Sequence, residues 1–479
     1  MKTDLRTQPV NFSGNKSSPR YLLILGVPVR WTTPVQLWAL TGLIASMTIL
    51  FYFAAQSAFT RSNAALKIIK KDCAPSIVAA QHLRLALADF DANTSNKLIS
   101  DTDSEDMSRA IKEAAARHKQ ISEKLVDAAR NITFVDKEVE PITTIVNDLG
   151  AYESLMSRAQ SLLEKKDKEG AIKAAREATT LIHGNLIPAA DRLDAANSSQ
   201  LKITYNDSRS HSALSLSGLI ISGLLLLASL VVAQIFLTLK TKRRLNPALL
   251  AATLATLFYG FSAATALLQS SSSLRLGVED AFASVQYLLK ARAVSYDANG
   301  EETRWLYDRQ NRIEYSKNFT AKTKLIVDLP NSYTFQKIAT LAKDPKQLPS
   351  GFTGYMADEL RNITFIEDGE GEAAIAALLA YSDYLTVDTE IRKLENDNRH
   401  EAAIALCLSY SPGGSNYVFG QFDKKLEKLI AINQNQFDRA MNGAINTLAP
   451  FNWMTPALII FLVGLTATGF WPRINEYGA

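Results

Sequence analysis

Residues 213–244 read ALSLSGLIISGLLLLASLVVAQIFLTLKTKRR. The first 27 positions carry no charge, and the last five hold Lys240, Lys242, Arg243 and Arg244. About 20 apolar residues suffice to cross a bilayer core. A chain in lipid must satisfy its own backbone hydrogen bonds, so the stretch is predicted to be a membrane-spanning helix. The basic cluster after it marks a cytoplasmic loop.

Three further charge-free stretches flank this one. They are Val35 to Gln56, Leu245 to Leu274 with its apolar part at 247–268, and a run before Arg473 centred on Trp453 to Trp471. The N-terminal tail holds Lys2, Arg6, Lys16, Arg20 and Arg30 against the single acid Asp4. Positive loops stay inside, so both termini are expected in the cytoplasm of a multi-pass membrane protein. The first span has no small-residue cleavage site after it and reads as an anchor. The expected layout is a tail (1–34), a span (35–56), a helical domain outside (57–212), a span (213–239) and a basic loop (240–246). A third span (247–268), a second helical domain outside (269–452), a fourth span (453–472) and a stub (473–479) complete it.

Composition agrees with two unlike populations. The chain has 479 residues, 47% hydrophobic, with a net charge of +4. Its mean hydropathy of −0.03 averages charge-free and densely charged regions. The basic excess is not gathered into an arginine-rich face with aromatics, so no nucleic-acid partner is expected. Cys73 and Cys407 form no CxxC pair, which excludes a zinc ribbon. Cys73 continues an apolar stripe from Leu66 to Phe90 at helical spacing and reads as a buried structural cysteine.

The two charged segments look like copies of one another. Arg130-Asn131-Ile132-Thr133-Phe134 recurs as Arg361-Asn362-Ile363-Thr364-Phe365, 231 residues later. Phe90-Asp91-Ala92-Asn93 recurs as Tyr296-Asp297-Ala298-Asn299, 206 later, and Ala171-Ile172 as Ala403-Ile404, 232 later. The difference between 231 and 206 implies an insertion of 25 residues, for which Pro330 to Gly354 is the obvious place. Alanine, leucine and charge at steps of three and four predict helices throughout. The expected fold is therefore all-α: four transmembrane helices and two tandem, duplicated four-helix bundles outside the cytoplasm. Asp136 is expected to cap the helix after the Asn-Ile-Thr-Phe turn. Ser411-Pro412-Gly413-Gly414-Ser415 breaks the last helix of the second copy, with His183-Gly184 and Pro188 a softer break in the first. Pro412, Gly413 and Gly414 read as a loop joining two helices or as a hinge.

Chemistry is scarce. No HExxH, GxSxG, P-loop or GxGxxG occurs, and the spans hold no ionisable residue. No enzyme, metal or cofactor is expected. The five histidines read as surface or helix-end residues. Asp89, Asp91, Asn93, Asp297 and Asn299 sit where the first helix of each copy is expected to reach its distal end. They suit helix-end turns, a partner-binding tip or direct ligand contact. Arg243-Arg244-Leu245-Asn246-Pro247 precedes the third span, where proline starts a helix well.

The first helix carries Ala-Pro-Ser-Ile-Val-Ala-Ala-Gln (74–81) and Leu-Ala-Asp-Phe-Asp-Ala-Asn (87–93). Arg-Arg-Leu-Asn-Pro (243–247) follows, and Trp-Pro-Arg-Ile-Asn-Glu-Tyr (471–477) ends the run. In these motifs the chain resembles the GlnX-type membrane proteins of actinobacteria and some other bacteria. That resemblance implies a non-enzymatic amino-acid signal relay between a periplasmic solute-binding lipoprotein and a cytoplasmic Ser/Thr kinase of the PknG type. The insertion at 330–354 and the long polar tail depart from it and leave the partner and ligand open. The cytoplasmic contacts would be Lys240, Lys242, Arg243, Arg244, Arg473 and Tyr477, whose other role is to fix topology. Two other readings are a chemoreceptor-like sensor binding a small ligand within its bundles and a cell-envelope scaffold. Parallel bundles often pair, so a homodimer is expected.

Overall fold

A computed structural model describes residues 21–24, 27–30, 32–100, 105–130, 132, 135–241, 245–364 and 368–478. Two short strands come first, β1 (Tyr21–Ile24) and β2 (Val27–Arg30), an antiparallel hairpin in the N-terminal tail. Helices follow: α1 (Thr33–Ile68), α2 (Ala74–Ile99), α3 (Glu105–Arg130), α4 (Val135–Glu164), α5 (Lys168–Leu181), α6 (Ile187–Thr241) and α7 (Pro247–Arg275). Then come α8 (Ala283–Tyr307), α9 (Arg312–Ile326), α10 (Phe335–Leu341), α11 (Tyr355–Asn362) and α12 (Glu370–Asn396). The last three are α13 (His400–Leu408), α14 (Ser415–Leu448) and α15 (Phe451–Gly478). The fold is all-α apart from the hairpin and one isolated bridge.

Four helical rods are long and apolar enough to cross a membrane: Thr33–Ile99, Lys168–Lys240, Pro247–Tyr307 and Ser415–Glu476. Three of them stay continuous through wide π-helical segments, Ile69–Cys73, Ile182–Leu186 and Leu276–Phe282. Pro75 and Pro188 each stand two residues beyond such a segment. The wider turn accommodates a ring that would clash with the preceding carbonyl in an α-turn. His183-Gly184 with Pro188 therefore makes no loop, contrary to the reading from composition.

The chain divides into two compact units. The apolar unit holds Met1–Phe59, Leu214–Thr265 and Pro450–Ala479. Phe59 stacks on Phe451 with centroids 4.6 Å apart, and Phe51 meets Tyr259 edge-on at 5.8 Å. The Tyr259 hydroxyl lies 2.6 Å from the Thr455 hydroxyl. Most other polar groups are satisfied within their own helices. Thr48, Ser222, Thr256 and Thr466 all donate to carbonyls three or four residues back. Asn246 caps α7, accepting from the amides of Ala248 and Leu249 ahead of Pro247. Its own amide reaches the Gly469 carbonyl at 2.8 Å. Phe258, Phe261, Trp453, Ile460 and Trp471 are exposed, as a lipid-facing surface requires.

The charged unit holds Thr60–Ala213 and Ala266–Ala449. Each segment has its own apolar core. One gathers Leu83, Leu87, Ile145, Tyr152, Ile182 and Leu193; the other gathers Leu288, Phe352, Met356, Tyr381, Tyr384 and Phe422. The two segments meet chiefly along α2 and α8. Alanines on both helices (Ala80, Ala88, Ala92; Ala291, Ala298) are buried and let the backbones approach closely. Residues 329–352 form an excursion holding α10, pinched off by reciprocal backbone bonds between Asp328 and Thr353. It coincides with the stretch singled out as an insertion. Cys73 is buried and unpaired. The side chain of Asp136 and half of the residues of the Asn-Ile-Thr-Phe motifs (Asn131, Thr133, Phe134 and Phe365) lie outside the described residues. Ile132 and Ile363 are described, and each packs against its own segment's core.

Gly354 (φ +102°) closes the excursion, and a Cβ there would stand 2.7 Å from the Ile326 carbonyl oxygen. Gly369 (φ +76°) has open space around it. Gly354→Ala is expected to destabilise the chain by about 1–3 kcal/mol. Gly369→Ala meets only the backbone penalty and should cost less, about 1 kcal/mol. Denaturant midpoints of the two variants check the order.

Candidate functional site

The repeated Asp-Ala-Asn motifs do not stand at an exposed tip. Asp89, Asp91, Asn93, Asp297 and Asn299 are all buried, at 2–6% exposure. The helices run on past them, α2 to Ile99 and α8 to Tyr307. Helix-end chemistry was the wrong reading, because each motif faces the other segment at the α2–α8 seam. There they do two different things.

Asp91 and Asp297 enter a closed charge cluster. Arg304, with no exposed surface, places Nη1 2.5 Å from Asp91 Oδ2 and Nη2 3.2 Å from Glu301 Oε1. Tyr152 donates to Asp91 Oδ1 at 2.8 Å, and its hydroxyl lies 2.6 Å from that of Thr94. Lys322 Nζ stands 2.6 Å from Asp297 Oδ1 and 2.5 Å from Glu301 Oε1. His183, in the π-helical segment before α6, brings Nε2 to 3.2 Å from Asp297 and 3.7 Å from Asp91. Gly300 leaves room for this, because a Cβ there would lie 3.1 Å from Arg304 Nη2.

The electrostatics follow from burial against pairing. Burial pushes the Asp91 carboxyl up, but Arg304 and His183 more than offset it, and it ends below the usual carboxylate range. Asp297 is likewise raised by burial and then held low by Lys322 and His183. Burial lowers the His183 imidazole, and Asp297 more than restores it, so it titrates above its ordinary value. Protonated, His183 balances the cluster: three cations (Arg304, Lys322, His183) face three carboxylates (Asp91, Asp297, Glu301). His183, Asp297 and Glu301 have the spacing of a metal site. Lys322 already bonds both carboxylates, so the donor set is spent on an ammonium and does not suit a divalent ion.

A second buried set lies further along α8. Glu302 accepts from the Ser415 hydroxyl at 2.9 Å and from the Cys407 thiol at 3.2 Å. Burial, with Asp388 nearby, raises its carboxyl to about 8. It thus holds the turn between α13 and α14 that contains Pro412, Gly413 and Gly414. Gly413 has φ +93°, and a Cβ on Gly414 would strike the Ser409 carbonyl oxygen at 2.4 Å.

Asp89, Asn93 and Asn299 instead line a polar cleft of about 400 Å3. Arg117 pairs with Asp89, and Asn93 donates to Asp89 Oδ1 at 2.6 Å. Among the cytoplasmic candidates, Lys240 is exposed near the end of α6. Arg473 pairs with Glu476 at 2.7 Å. Lys242, Arg243, Arg244 and the Tyr477 side chain lie outside the described residues. Sequence reasoning missed Arg304, Glu301, Lys322 and Glu302, and set His183 aside as a surface or helix-end residue. The one usable signal was their position beside Asp-Ala-Asn: Asp297-Ala298-Asn299 runs into Gly300-Glu301-Glu302-Thr303-Arg304.

Residues 65–206 match the actinobacterial sensor domain. The matched stretch spans the end of α1 to the first part of α6, and so contains Asp89, Asp91, Tyr152 and His183. No curated protein and no solved structure matches the chain. The match supports a bacterial sensor protein with a signal-sensing role.

Arg304→Met strands Asp91 and Glu301 in the interior and is expected to cost about 3–5 kcal/mol. Adding Asp91→Asn and Glu301→Gln should recover part of that loss, as denaturant titration will show. Glu302 keeps its proton to about pH 8 when folded, against an ordinary 4.5. The folded state therefore binds the extra proton, and this contribution is full below pH 4.5 and lost as pH rises towards 8. Glu302→Gln is expected to flatten the fall in stability over that window.

Proposed function

We propose that the protein is a non-enzymatic transmembrane signal relay, with its charged unit outside the cytoplasm and both termini inside. One observation carries this reading. The rod Lys168–Lys240 is a single helix of 73 residues. It holds His183 of the charge cluster near its start and the apolar run 213–239 at its end. At 1.5 Å per residue its α6 portion alone, 55 residues, is about 80 Å long. A shift or rotation at His183 is therefore transmitted by the helix's own backbone, and a partner that prefers one position biases the whole rod. The sensor-domain match over 65–206 supports the sensing half of this reading.

The resemblance to GlnX-type proteins supplies the finer proposal. The upstream partner is a periplasmic solute-binding lipoprotein for amino acids, and the downstream partner is a soluble Ser/Thr kinase of the PknG type. Lys240, Lys242, Arg243, Arg244, Arg473 and Tyr477 are the cytoplasmic contacts, and a homodimer is the working unit. The lipoprotein must dock elsewhere than on the Asp-Ala-Asn motifs, which are buried. The unit of span, helical segment and span is proposed to be duplicated. Lys166 and Asn398, both left-handed and 232 residues apart, support this, since 232 is also the offset of Ala171-Ile172 from Ala403-Ile404.

Crosslinking the full chain in native membranes, followed by capture, tests the relay. Recovery of a solute-binding lipoprotein and a Ser/Thr kinase is expected. Recovery of only the chain itself, or of wall-assembly proteins, would sink the reading. Inserting Ala-Ala after the exposed Ser210 rotates the lower part of α6 by about 200°. The relay predicts that both partners are still captured while the kinase ceases to respond to amino acids.

A further inference from the structure

The polar cleft of about 400 Å3 is enclosed by the end of α2, the first half of α3, the middle of α8, the α13–α14 turn and the start of α14. That volume equals about a dozen waters at roughly 30 Å3 each. It falls within the range of small-molecule sites and is too small for a folded peptide.

The wall favours an anion for two separate reasons. It carries three cations, Arg109, Arg117 and Lys424, against two carboxylates, Asp89 and Glu113. Arg117 is committed to Asp89. Arg109 is only loosely held: it lies over the Tyr410 ring at 3.9 Å and reaches Glu113 at 3.5 Å, while Tyr410 donates to the same carboxylate at 3.1 Å. Lys424 is exposed and makes no ion pair among the described residues. Second, Tyr296 packs edge-on against Phe419 in the wall. Its hydroxyl has no hydrogen-bond partner among the described residues.

We infer that this cleft binds a small organic anion through a carboxylate group held by Arg109 and Lys424, with the Tyr296 hydroxyl as donor. The two wall carboxylates disfavour a phosphate, which concentrates its charge in one group, more than a carboxylate. A bound anion joins α3 of the first segment to α14 of the second. Only Ala449 and Pro450 separate α14 from α15. The ligand would thereby set the position of the α13–α14 turn that Glu302 holds from behind. This inference deepens the relay reading by giving the protein a ligand of its own.

Titration calorimetry of the full chain in nanodiscs, at fixed ionic strength, tests it with succinate and lactate as probes and inorganic phosphate for comparison. Saturable binding of at least one carboxylate is expected, with a midpoint below about 1 mM. Arg109→Gln and Lys424→Glu should each weaken it at least about tenfold, because each removes a charge-assisted contact. Lys428→Glu, four residues along the same helix and outside the cleft, should leave it unchanged. Lys424 is exposed, so its variant is expected to keep the parent unfolding midpoint. No saturation by either carboxylate up to about 10 mM would overturn the inference. So would equal weakening by Lys428→Glu, or tighter binding of phosphate. Capture of the lipoprotein and kinase does not depend on these titrations, so the relay can stand where the ligand site fails.

Discussion

Arg304 has no exposed surface, so its charge has to be balanced inside the protein. An unpaired buried guanidinium would cost more than a domain of this size can absorb. Its partners come from both segments: Asp91 from α2, and Glu301 from its own helix. Asp297 and Lys322 close the ring on one side, and His183 on another. Separated, the segments would return these side chains to water, so the pairing contributes little net attraction; it fixes the register in which α2 and α8 can close without an unpaired charge.

This constraint explains the unusual run of polar residues in the centre of the charged unit. Residues 89–96 of α2 and 297–304 of α8 are almost all buried, on every side of each helix. A helix buried all round is ordinarily apolar. Here alanines bring α2 and α8 close, and the polar side chains pair across the narrow gap, as Thr303 does with Asn96 at 2.7 Å. Burial in such a gap strengthens each ion pair and makes each unpaired group costly. His183 and Ser415 connect the seam to two of the four long rods.

The apolar unit was legible in the sequence because its rule is local. A charge-free run of sufficient length must be a helix in lipid, whatever surrounds it. Asn246-Pro247 was legible for the same reason, since a cap and a first-turn proline act over three or four residues. The stretch 330–354 was singled out by its prolines and glycines and by the difference between two motif offsets, and the excursion at 329–352 falls there. The charge cluster was not legible. Asp91 and Arg304 are 213 residues apart, and nothing in either neighbourhood says that the other will be there. His183 beside a glycine looks like a helix end, and only the π-helical segment turns it inward.

The sequence by itself thus determined four helical spans, helical segments between them, a basic loop and the absence of known catalytic motifs. Period, length and charge-free runs act within one helix and need no partner to be read. Tertiary structure alone decided that the Asp-Ala-Asn motifs are interior, that Asp91 balances Arg304, and that Asp89, Asn93 and Asn299 share a cleft. Those outcomes depend on which helix faces which. In this protein that choice is made by pairing charges across the seam between segments far apart in the chain.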